Sequence, residues 1–170
     1  MHAALFAKAM RALGLDDTPN AYLDHVPAVV LANANALTMF GLHRRLRGAL
    51  CGHLAAFEMT SSLPARKVVI GMQRLEPPGD AWEFFDEHVE ADAVHEQVAA
   101  RDLCGGLIES EPTLLPDVLL GSAVCLGMDA LVGARTVQAW EAGRSALRTP
   151  LPDHAHSATV IDLRRPLGVA

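Results

Sequence analysis

Between Phe84 and Gln97 the chain reads FFDEHVEADAVHEQ, with His88, Asp92 and His95 at spacings of four and three. An α-helix turns about 100° per residue, so these spacings gather the three side chains within a sector of about 60°. Two imidazoles and a carboxylate on one stripe form a ligand set for iron, manganese or zinc rather than for calcium or magnesium. No thiolate is close in sequence, which weighs against a structural zinc site. The competing explanation is a solvent-facing stripe that has collected His and Asp by chance. A second acid stands out upstream: Glu58 lies in HLAAFEMTSS, among apolar and small residues. An unpaired buried carboxylate is costly, so Glu58 is exposed, paired with an arginine, or a metal ligand. His53 sits about 140° round the same helix from Glu58, too far to share an ion with it, and reads as a structural histidine.

The elements that must carry these groups read as helices. His2 to Leu13 is amphipathic and closed by Gly14. Ala21 to His25 forms a short helix, and Pro27 opens an apolar one to about Phe40, whose amides Asn33 and Asn35 are expected to hydrogen-bond in the core. A break at Gly41–His43 precedes a helix from Arg44 to Thr60. Its basic start opposes the helix dipole, so either the two apparent helices are one kinked helix or Arg44, Arg45 and Arg47 pair with acids elsewhere. Ser62 and Pro64 signal a new helix to Leu75, which the EPPG run ends. Asp80 and Glu83 have capping-box spacing, so the key helix is expected from Asp80 to about Arg101, broken at Gly105–Gly106. Glu111–Pro112 begins a last helical region reaching about Leu147, with glycines 121, 127, 133 and 143 marking close approaches or bends. The result is a single all-α domain over residues 1–148 with a mobile tail over 149–170.

Composition narrows the function classes. A 170-residue chain that is 51% hydrophobic and 20% charged is folded, with one domain as the natural division. The formal charge of −6 argues against a general nucleic-acid binder. Cys51, Cys104 and Cys125 are odd in number and form no CxxC, so no disulfide framework is indicated, and a cytoplasmic, reducing location is expected. The amphipathic start carries Lys8 and Arg11, unlike a signal peptide. The apolar stretches 26–42 and 114–134 contain prolines, amides or acids and are expected as buried helices rather than membrane spans. The chain contains no Walker loop, GxGxxG, GxSxG or HExxH.

His88-x3-Asp92-x2-His95 preceded by Glu58 resembles the haem-oxygenase-like iron-containing redox enzymes, the di-iron oxidases and oxygenases that bind non-haem iron. GLHRRLRGALCGHLAAFEMTSS followed by FFDEHVEADAVHEQVAARDLCGGL is similar to their actinobacterial members, and the likeness covers about Phe6 to Leu147. The resemblance implies a haem-oxygenase-like helical bundle in which Glu58, His88, Asp92 and His95 hold one or two iron ions, with manganese as the alternative. It implies reductive activation of O2 and oxidation of a small-molecule substrate, in a family whose chemistries include N-oxygenation, C–C cleavage and fatty-acid decarboxylation. The family's further E-x6-H helix has no match here, so the chain is expected to be the C-terminal portion of the fold. A homodimer is one way to supply the missing ligands. The alternative function is a non-catalytic helical module that binds one metal or none and pairs with another subunit. A thiaminase-like hydrolase is a third class, and it requires an activated cysteine.

Overall fold

The computed structural model describes residues 2–77 and 80–151; the side chains of Glu90, Asp92, Ala93 and Val94 also lie outside the described set. Most of the chain is helical, and no strand occurs among the described residues. The helices are α1 (His2–Ala12), α2 (Ala28–Leu42), α3 (Arg47–Leu75), α4 (Glu83–Gln97), α5 (Gly106–Ser110) and α6 (Leu115–Glu141). α3 is the central element: it packs along α6 on one side and along α4 on another, while α2 bridges α3 and α6 and α1 lies on α4.

The α3–α6 contact is built from residues with almost no side chain. A Cβ placed on Gly52 would sit 1.9 Å from the Val118 carbonyl oxygen, and one on Gly121 would sit 1.9 Å from that of Ala49. Only glycine allows backbones to come this close. Ser122 Oγ lies 2.9 Å from the Gly52 carbonyl oxygen and donates across the crossing. Of the four glycines read as approaches or bends, Gly121 makes the approach, Gly143 takes positive φ (66°) at the end of α6, and Gly127 and Gly133 face open space. Both α1 and α6 end in Schellman turns. Leu15 N–H reaches the Met10 carbonyl and Gly14 N–H the Arg11 carbonyl, and Arg144 and Gly143 repeat the pattern on Ala139 and Trp140. α6 therefore stops at Glu141, short of the expected Leu147.

Three further expectations about helix starts and stops are corrected. Pro64 does not start a helix but lies inside α3, which runs unbroken to Leu75. Proline lacks the N–H that would bond the carbonyl of Thr60 and its ring crowds that turn, a known source of kinks. Buried Ala65 and Val69 beyond it hold the helix through tertiary packing. Asp80 and Glu83 do not form a capping box. Both engage Lys8 of α1, with Asp80 Oδ2 3.4 Å from Nζ, and α4 begins at Glu83 itself. The Gly105–Gly106 pair does not break the chain either: α4 continues into a π-helical stretch, Val98–Gly105, which leads directly into α5. The break expected at Gly41–His43 is present as extended backbone at His43, and of the three arginines after it Arg47 pairs with Glu111. Asn33 Nδ2 donates to Asp129 at 2.7 Å, whereas Asn35 is exposed rather than in the core. Of the expected tail, residues 152–170 lie outside the described residues.

Candidate metal centre

His88 is half-buried on α4 in an aromatic seat. Its ring lies 4.2 Å from that of Phe84, one turn earlier, and 4.6 Å from that of His2 on α1. Phe6 of α1 packs edge-on against Phe84 at 5.0 Å, so α1 closes the seat from outside. His88 Nδ1 is 2.5 Å from the Phe84 carbonyl oxygen. A carbonyl oxygen only accepts, so Nδ1 carries the proton, and in the neutral ring Nε2 is the nitrogen with the lone pair. This is the tautomer and the kind of orienting bond that metal-binding imidazoles use.

His95 lies two turns further along α4, about 10 Å up the helix axis. Its Nδ1 is 3.2 Å from Oε2 of Glu58, which α3 brings across the helix pair. The Glu58 side chain is 22% exposed and that of His95 45%, so the pair sits at the rim of the α3–α4 contact. One turn on from Glu58, Ser62 Oγ donates to the Val89 carbonyl at 3.3 Å and ties the two helices together beside the site. The described donors thus gather at two ends of the stripe, Glu58 with His95 and His88 with His2. Asp92 occupies the α4 position between them, with its side chain outside the described residues. Among the described residues no three of His, Cys, Asp and Glu come together closely enough to hold an ion.

His2 is a neighbour that sequence reasoning missed. The available signal was its spacing of four from Phe6, which puts both on the α1 face that meets α4. His53, read as structural, is 4% exposed and packs edge-on against Phe40 at 5.8 Å. Burial pushes its imidazole below the ordinary value, with Asp129 acting in the opposite sense. The cysteines offer no nucleophile. Burial, followed by the nearby Asp129, pushes the Cys125 thiol up to about 11. Burial also raises Cys51 and Cys104, so the hydrolase reading lacks an activated thiol.

Imidazole and carboxylate side chains on facing helices of a bundle are the arrangement from which helical metal proteins build their sites. A family model described as iron-containing redox enzyme matches residues 1–130, and the chain belongs to that family. A general iron-dependent redox role comes with it. Comparison with curated proteins and with solved structures gave no match.

Proposed function

We propose that this protein binds non-haem iron through Glu58, His88, Asp92 and His95 and uses it to oxidise a small-molecule substrate with O2. The observation that carries the reading is the pairing of Glu58 on α3 with His95 on α4, on the same stripe as an imidazole whose Nδ1–H is already committed to a carbonyl. Bound iron would supply reductive O2 activation at coordination positions left open by the protein. The chain's own residues do the rest. His88 presents Nε2 and is kept from rotating by Phe84 and His2. Glu58 offers a carboxylate that is free to exchange between His95 Nδ1–H and a metal. Asp92 adds a negative charge between the two ends, and the aromatic seat formed with α1 keeps water from His88. Two clusters of donors separated along one helix suit two ions better than one.

Anaerobic Fe(II) titration of the purified chain, with iron counted per monomer beside a His88→Ala/His95→Ala variant, tests this directly. The proposal expects specific iron, lost in the variant, and O2 consumption when the ferrous protein meets air in the presence of a reductant. Iron binding unchanged by the double substitution would remove the ligand assignment. Specific iron without O2 consumption would leave a metal-binding helical module with no catalytic role.

A further inference from the structure

The residues of α6 that face away from α3 form an apolar seam that none of the described residues covers. Leu119, Ala123, Leu126, Ala130, Gly133, Val137 and Trp140 follow one another at alternating spacings of four and three, and all seven are exposed. The larger ones are strongly so: Leu119 60%, Leu126 48% and Trp140 61%. No charge occupies a seam position; Asp117, Asp129, Arg135 and Glu141 all fall elsewhere on the helix. A repeat of 3.5 residues is the spacing by which one helix seats along another. Pro112–Glu141 is also long and apolar enough to cross a membrane, and only 17% of its apolar window is buried. A lone spanning helix, however, asks for an apolar surface all round. The opposite side of α6 is committed to protein, through the Gly52–Gly121 approach, the Ser122 hydrogen bond and the Asn33–Asp129 contact.

We infer that this seam is the interface of a two-fold homodimer, with α6 packed antiparallel against α6 of a second copy. The seam complements itself when reversed. Laid antiparallel about Ala130, Leu126 falls opposite Gly133, Ala123 opposite Val137, and Leu119 opposite Trp140. Large side chains meet small ones near the axis, and the two largest pairs close the ends. A two-fold interface requires this self-complementarity, since each residue must suit the partner's copy of the same patch. The exposed seam side chains, with Leu120 and Leu131 on their flank, offer on the order of 600 Å² per copy, close to the ~800 Å² per partner of a standard stable interface. The inference stands apart from the iron site, which lies on α3 and α4.

The test is the mass of the full chain in detergent-free buffer by light scattering after gel filtration. A discrete species at twice 18.1 kDa is expected. Leu126→Lys should halve that mass while keeping the far-UV helical signal. Leu63→Lys, at a 71%-exposed site on α3, should leave the dimer intact. Ala130→Cys under diamide should form a disulfide-linked dimer across the axis, with loss of two thiol protons and reduction of the diamide, whereas the wild type should not. A monomeric wild type at micromolar concentration, a Leu126→Lys dimer, or an Ala130→Cys chain that resists cross-linking would each overturn the interface. So would a wild type that floats with phosphatidylcholine–phosphatidylglycerol vesicles, which would assign the seam to a membrane.

Discussion

The bond between Glu58 and His95 decides how the candidate centre behaves at the level of single residues. Glu58→Gln keeps the shape and a hydrogen bond to His95 but removes the anionic oxygen, so Fe(II) affinity should fall by roughly 100-fold, the upper end of what loss of supporting interactions alone causes. Competition against a chromophoric chelator measures it, and unchanged affinity would place Glu58 outside the ligand set. His53 makes a different prediction. Its folded pKa is depressed by burial, so the unfolded chain takes up a proton at higher pH than the folded one. The stability it contributes is therefore complete above its ordinary value of 6.5 and is lost as pH falls below that toward the folded value. His53→Leu should flatten the fall in urea midpoint between about pH 7.5 and 5.5. It should cost little at neutral pH, because Nδ1 of His53 is buried without a hydrogen-bond partner. The stripe His88, Asp92, His95 could be read from spacing because helical periodicity alone fixes which residues share a face. The Glu58–His95 contact and the seat that His2 and Phe84 make for His88 could not. They depend on how α3 and α1 dock on α4, which no local spacing encodes.

Among the elements, α3 carries the fold, and its glycines are not equivalent. Gly52 meets the Val118 backbone, whereas Gly71 meets nothing within 4 Å. Gly52→Ala forces α3 and α6 apart and should cost about 3 kcal/mol, at the upper end of overpacking effects. Gly71→Ala on the same helix should instead gain about 0.5–1 kcal/mol from better helix propensity. Urea unfolding of the two variants side by side checks both signs, and equal effects would mean that the close crossing is not what Gly52 is for. The helical class and most helix locations were legible because apolar periodicity and the glycine stop at Gly14 are local signals, whereas Gly143, read as an approach or bend, is in fact the stop of α6. Three of the errors share one cause. Ser62–Pro64, Asp80–Glu83 and Gly105–Gly106 are all local start or stop signals that tertiary contacts override. Buried Ala65 and Val69 carry α3 through its proline, and Lys8 takes the two acids that would have capped α4. The switch to π-helix after Gln97 has no composition signal, since its residues suit an α-helix equally well.

The whole molecule has a thin core and a greasy outside. Its buried hydrophobic residues are largely alanines with a few larger side chains, and Cys125 is the largest side chain fully buried among the described residues. Leucines, a valine and a tryptophan line the outer face of α6. Such a chain buries few large apolar side chains in its own core, so a second copy on the seam should supply part of its stability. Association then couples stability to concentration, because the dimer is favoured by mass action while the unfolded chain is not. A tenfold rise in protein concentration adds about 1.4 kcal/mol per dimer, which should raise Tm by about 1–3 °C for an assembly of this size. In Leu126→Lys the dependence should vanish, leaving a lower Tm that is flat with concentration. Ferrous iron should raise Tm in both proteins by similar amounts, because the ligands proposed for it are on α3 and α4 and not on the seam. If iron instead stabilised only the dimer, the second copy would be contributing to the metal centre, and the two surfaces would be one functional unit.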